Sequence, residues 1–277
     1  MKVPWVLIAA ILGSAMTFID STAVNVSLPI IQRELHATTG QTQWVIEGYA
    51  LFLSALILLG GALGDLYGRR LVFACGIVLF AAASLACALS GSIEMLIAAR
   101  CVQGIGGALS TPGSLALISS AYDSQARGRA IGLWSGFSAL TSALGPVIGG
   151  WLTQDFSWRY VFVINVPVAI AVLVVLALRV PESRDDSADR RIDVVGATLA
   201  TLGLGLLVYG LIEMNGGRVS LQSLVIAIAG IAALVAFVLF ERRTPDPMVR
   251  CDLFASRSFS VANIYTFFLY AAIGGSL

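Results

Sequence analysis

Charge is what this chain has least of. Only 12% of its 277 residues are Asp, Glu, Lys or Arg, against 58% hydrophobic, which is too little polar surface for a soluble domain of that length. Histidine occurs once, as His36, with no second ligand-type residue beside it, so no metal site is expected. The four cysteines do not make a disulfide framework. Cys75, Cys87 and Cys101 fall inside apolar runs and Cys251 in a charged loop, and all four are read as packing residues. A net charge of +1 argues against a nucleic-acid partner. No Walker-type phosphate loop is present: Gly104-Ile105-Gly106-Gly107 shares its letters but sits inside an apolar run with no strand before it. No cofactor is expected, and the His, Cys or paired-carboxylate cluster that a membrane enzyme would need at one interface is missing.

What is there is hydrocarbon in span-sized pieces. Apolar stretches run from Trp5 to Leu28, Trp44 to Leu63, Leu71 to Ser90, Met95 to Ile118, Ala130 to Leu152, Val161 to Leu178, Val194 to Ile212 and Leu221 to Phe240. Each is near the roughly 20 residues that cross a bilayer. A ninth begins at Phe259 and is still apolar at Leu277, so the chain is expected to be an incomplete N-terminal portion. The first run carries Asp20 and Asn25 and is too long for a cleavable signal. The expected fold is all-α: a polytopic bundle with a six-helix unit over 1–180, a linker at 181–193, a helix pair over 194–240, a loop at 241–258 and the start of a ninth helix at 259–277.

Orientation follows from the basic residues in alternate loops. Lys2, Arg69, Arg70, Arg127, Arg129, Arg179, Arg184, Arg190, Arg191, Arg242, Arg243, Arg250 and Arg257 fall on one side, and Arg33, Arg159 and Arg218 on the other. That excess places the N-terminus in the cytoplasm of a cell inner or plasma membrane. Arg100 alone lies inside a span.

A charge at a helix centre costs at least roughly 2.5 to 3.5 kcal/mol, so an ionisable group held there faces a partner or a wet cavity. Asp20, Glu47 and Arg100 answer that description, and all three are expected in the outer half of the bundle. Hydrocarbon favours a neutral carboxyl and a neighbouring guanidinium favours the carboxylate, so movement that changes their separation would load or release a proton. The alternative is a static ion pair that pins helices or, for Glu47, a side chain reaching to the surface. Asn25, Tyr49, Trp134 and Asn165 are further polar or aromatic candidates for lining a cavity. In span five, Thr141, Gly145 and Gly149 recur every four residues beside Pro146, a smooth face for close helix approach next to a kink.

Gly61, Leu63, Gly64, Asp65, Gly68, Arg69 and Arg70, read as a turn between spans two and three, resemble the loop signature of the major facilitator superfamily; Leu66 replaces its usual basic residue. Arg100, Gln103, Gly104, Gly106 and Ala108 resemble that superfamily's arginine-containing motif. Gly132, Gly145, Pro146, Gly149 and Gly150 resemble its antiporter motif, with Thr141 in place of the middle glycine. The runs 20–29 (DSTAVNVSLP) and 158–167 (WRYVFVINVP) are similar to signatures of the fourteen-helix drug:proton antiporters of the EmrB/QacA type.

The resemblance implies a proton-coupled exporter of lipophilic or cationic compounds that rocks two helical bundles about a midplane cavity. In it, Arg100 and Asp20 would couple protons, the 61–70 turn would latch the bundles, and the Gly-Pro face would limit leakage between them. Turn and Gly-Pro face would both pack against a second bundle that this chain lacks, so these residues alone are not expected to transport. A twelve-helix metabolite carrier and a non-transporting membrane fragment are the alternatives.

Overall fold

The computed structural model of the chain describes residues 3–184, 193–215, 220–244 and 256–276. Lys2, Arg190, Arg191, Arg218, Arg250, Cys251, Leu277 and most of the two linkers lie outside the described residues. Among those described, the helices are α1 (Val3–Glu34), α2 (Thr39–Tyr67), α3 (Arg69–Ala88), α4 (Ile93–Ala121), α5 (Ser124–Asp155), α6 (Arg159–Val163), α7 (Asn165–Arg179), α8 (Val194–Asn215), α9 (Leu221–Glu241) and α10 (Arg257–Ser276). Among the described residues eight spans are long and apolar enough to cross a membrane, with α6 and α7 together forming one of them. In hydrocarbon a backbone N–H or C=O has no water to turn to, which leaves the helix as the form these apolar runs adopt. The helices outrun the apolar stretches by several residues at their ends, because polar caps extend them. Thr38 and Gln41 close a capping box on α2, and Asp123 accepts the Ala126 N–H at the start of α5 (2.8 Å).

Two findings differ from the sequence expectation. Residues 61–67 are the last turns of α2, and the link to α3 is Gly68 alone, at φ 115°. That left-handed backbone suits glycine, so one residue suffices to reverse the chain. Span six is interrupted at Ile164, three residues before Pro167, whose ring removes the N–H that would bond back to the Val163 carbonyl. Pro146, in contrast, lies inside α5 without ending it.

α4 occupies the middle of the bundle, packed against α1, α2 and α3, and α1 packs against α5 and α7. Glycine sets these approaches. A Cβ on Gly104 would stand 2.5 Å from the Tyr49 carbonyl of α2, and one on Gly106 would stand 2.6 Å from the Phe80 nitrogen of α3. The span-five glycines work inside the same bundle: Gly145 faces Thr22 and Gly149 faces Ala23, both on α1, so the smooth face is used by α1. The helix pair α8–α9 packs on α2, where Trp44 and Tyr209 rings meet at 5.9 Å.

Two large apolar clusters lie within the bundle, with a smaller one of Ala10, Ile118 and Ala130 beside them. One contains Met16, Phe73, Ile77, Phe80, Leu117 and Val172, the other Val24, Ile31, Val45, Leu96, Trp158 and Phe162. Along α1 they fall on either side of Asp20, and along α4 on either side of Arg100 and Gln103. The buried Asp20 and Arg100 thus lie between two apolar clusters.

Candidate functional site

Asp20 and Arg100 are both fully buried and meet directly, Arg100 Nη1 donating to Asp20 Oδ2 at 2.5 Å. Every other polar neighbour is arranged around that pair. Gln103 Nε2 and Asn165 Nδ2 each donate to Asp20 Oδ1 at 2.9 Å, so the carboxylate accepts three N–H bonds from three side chains. Both amides also donate to Ser84 Oγ, at 2.8 Å from Gln103 and 3.2 Å from Asn165, while Ser84 gives its own hydrogen to the Phe80 carbonyl. Arg100 Nη1 further donates to Gln103 Oε1 (2.7 Å), and Nε donates to the Val45 carbonyl (2.9 Å). The guanidinium carbon lies 4.3 Å from the centre of the Tyr49 ring, a distance at which the π face attracts a cation. Five spans therefore supply one charged cluster: α1, α2, α3, α4 and the first residue of α7.

Glu47 stands apart from it. Val45 and Tyr49, four residues apart, present one face of α2 to Arg100, and a residue midway between them points to the other side of a helix. There Glu47 accepts a bond from Gln43 Nε2 (2.6 Å) and lines a cleft with Val208, Leu211, Ile212 and Met214 of α8. Of the four cavity candidates, Tyr49 and Asn165 belong to the Asp20 shell. Trp134 is half-buried and donates to Ser14 Oγ (2.9 Å), and Asn25 is exposed, bonded to the Ser21 carbonyl. Ser84 was not singled out from sequence; its only local signal is a hydroxyl in an otherwise apolar run of α3.

On the face carrying Gly68, Asp65 at the end of α2 and Arg69 at the start of α3 pair at 2.8 Å across the link, an exposed contact of small energetic weight. A second element meets that turn. α3 has no side-chain cap from its own Gly68, and Glu182, just past α7, supplies it: Oε1 accepts from the Arg70 N–H (3.0 Å) and Oε2 from the Leu71 N–H (3.1 Å). The Arg69 N–H donates to the Ser183 carbonyl (2.9 Å). A carboxylate on the first N–H groups of a helix satisfies orphan donors and complements the dipole. Glu182→Ala is expected to cost about 1 kcal/mol, the usual weight of a lost cap. It should speed hydrogen exchange at the Arg70 and Leu71 amides and leave the α5 amides unchanged; equal rates in the two proteins would show the cap to be idle.

The opposite face has its own clasp. Trp158 Nε1 donates to Glu34 Oε2 (2.8 Å), while Arg159 stacks on Trp158, pairs with Glu34 at 3.5 Å and donates to the Ser90 carbonyl (3.1 Å).

Residues 10–275 match the family model described as Major Facilitator Superfamily. The chain belongs to this superfamily. It is 39% identical over 276 residues to the methylenomycin A resistance protein of Bacillus subtilis, covering 98% of this chain and 58% of that protein. It is 37% identical over 273 residues to the multidrug resistance protein Stp of Mycobacterium tuberculosis, covering 98% and 51%. Over 275 residues it is 36% identical to the tetracenomycin C resistance and export protein of Streptomyces glaucescens, again covering 98% and 51%. The chain spans about half the length of these relatives. Among solved structures, the peptide transporter POT in its E310Q form with sulfate superposes with a TM-score of 0.62 at 16% identity, over 87% of this chain and 52% of the other. A bacterial homologue of the lysosomal transporter Spinster gives 0.57 at 21%, over 90% and 64%. These likenesses show the major facilitator fold.

Proposed function

We propose that the chain forms the proton-handling part of an exporter that expels small lipophilic or cationic compounds in exchange for protons, in the fourteen-helix branch. The observation that carries this reading is the buried Asp20–Arg100 pair with its three-donor shell. As a mere pin between helices the pair would be a poor choice, since taking both charges out of water costs several kcal/mol each and apolar side chains of similar size commonly hold as well or better. As a proton carrier it is apt, because a carboxyl group beside one guanidinium has two charge states that differ in how tightly α1 is held to α4. The names of the relatives, which concern antibiotic resistance and export, support the substrate class.

In this reading the N-terminus is cytoplasmic, in the plasma or inner membrane. The six-helix unit, the α8–α9 pair and α10 are separate parts, and a further bundle outside this chain completes the cavity. Gly61, Gly64, Asp65, Gly68, Arg69 and Arg70 form the latch on the cytoplasmic face. Gly104 and Gly106 keep α4 close to α2 and α3. Gly145 and Gly149 hold α5 to α1, with Gly132, Pro146 and Gly150 on the rest of that helix. Glu47 is a secondary proton site at the α2–α8 cleft, and Asn25 and Trp134 line the substrate path. One charge crossing 100 mV supplies about 2.3 kcal/mol, roughly a fifty-fold gradient, so no ATP is required.

The test is transport in everted vesicles carrying the complete exporter, read by accumulation of a lipophilic cationic dye on energisation. Asp20→Asn is expected to abolish proton-driven accumulation while leaving dye binding measurable. Undiminished accumulation in that variant would remove Asp20 from the coupling role.

A further inference from the structure

Asn165 reaches Asp20 from a span that is interrupted beside it. α6 ends at Val163 and α7 starts at Asn165. With Pro167 unable to donate, the junction keeps the Ile164 N–H bond to the Tyr160 carbonyl (3.1 Å) but lacks the rung to the Val163 carbonyl. The far end of α6 is fixed by the Trp158–Glu34 and Arg159–Ser90 bonds. Five residues of helix therefore connect the clasp at one face of the bundle to the Asp20 shell.

The hydrogen-bond directions at Asn165 are forced. Asp20 as a carboxylate only accepts, and Ser84 has given its one hydrogen to Phe80, so both groups require the NH2 corner of the amide. A protonated Asp20 would instead need an acceptor. Gln103 cannot turn to provide one, because its carbonyl is held by Arg100 Nη1 while its NH2 serves Asp20 and Ser84. Asn165 can, since its own carbonyl corner is the other half of the same amide and its backbone stands at the weakened junction.

We propose that Asn165 is a positioning residue for the proton on Asp20: it donates to the carboxylate in the closed bundle and turns at the α6–α7 junction to accept from the neutral acid, passing the charge state of Asp20 to the Trp158–Arg159 clasp. This rests on Asp20 being the proton carrier. The titratable groups that interact with Asp20 are Arg100 from α4, Tyr49 from α2 and Cys87 from α3. α5 presents Gly145 and Gly149 to α1, and the charge on α6, Arg159, is paired with Glu34 at the far end of α1. Asn165 is neutral, so replacing it alters no charge in this set.

The experiment is the pH profile of dicyclohexylcarbodiimide labelling at Asp20, a reaction of neutral carboxyl groups in apolar surroundings. It is read by mass spectrometry on the whole chain in lipid vesicles, with Asp20→Asn to assign the adduct. Asn165→Leu is expected to move the profile toward higher pH, with labelling at neutral pH about fivefold faster, because the bond lost from the carboxylate is stronger than the one lost from the neutral acid. Ser84→Ala, which removes the second anchor of the amide, is expected to move it the same way by less. Variants that melt earlier but keep the wild-type profile would overturn the proposal and leave the Asp20 reading intact. A wild-type profile that is flat across pH would overturn both.

Discussion

Replacing Arg100 by leucine with Asp20 left in place is expected to lower the stability of the bundle by about 3–5 kcal/mol, the range found when one partner of a buried ion pair is removed. The reason is the remaining carboxylate, which keeps the Gln103 and Asn165 donors but has no cation beside it between the two apolar clusters. Changing both residues to leucine removes that orphan charge, so the double variant should be substantially more stable than the Arg100→Leu single. Chemical or thermal unfolding in a mild detergent measures all four members of the cycle. A double variant as unstable as the single would mean that the pair contributes packing and hydrogen bonds, and that charge is incidental to it. Acidification gives a second readout: it lets the orphaned carboxyl group take a proton, so part of the single variant's loss should return as pH falls. The sign would be the reverse if the unpaired group were the cation.

That cycle also shows why the site was only partly legible in the sequence. Asp20 and Arg100 stood out because a charge within an apolar run is conspicuous wherever it lies. Their neighbours carry no such mark. Asn165 is 145 residues from Asp20 and Ser84 is 81 from Asn165, so nothing in local spacing ties them to one point. Glu47 is the reverse case: it is as conspicuous as Asp20, but the phase of α2 turns it away from the side on which Val45 and Tyr49 meet Arg100. The spans themselves were readable because hydropathy reports burial in hydrocarbon directly. The single-residue link at Gly68 and the cap from Glu182 were not, because the first is a backbone angle and the second joins groups more than a hundred residues apart.

The smooth face of span five was legible as a face, but the helix it receives was not, and this makes it a source of large effects. Gly149→Ala is expected to destabilise the chain by about 1–3 kcal/mol, the cost of overpacking a close contact. The new Cβ would lie 2.7 Å from both the Cα and the carbonyl oxygen of Ala23. These are backbone atoms of α1, so no side-chain rotation relieves the clash, and α1 must move away from α5. Ala23 is less than one helical turn from Asp20, so that movement also shifts the carboxylate against Arg100, and the export proposed for the complete transporter should fall with stability. Gly132→Ala is the matched control on the same helix, because nothing lies within 4 Å of its Cβ position. There the exchange should be neutral or stabilising by up to about 1 kcal/mol, since alanine is the better helix former. The comparison is made by unfolding both variants beside wild type and assaying both for dye accumulation. Equal behaviour of the two would mean that α1 and α5 are not in the contact described, and that the glycine spacing in span five reflects something other than the seat of the Asp20 helix.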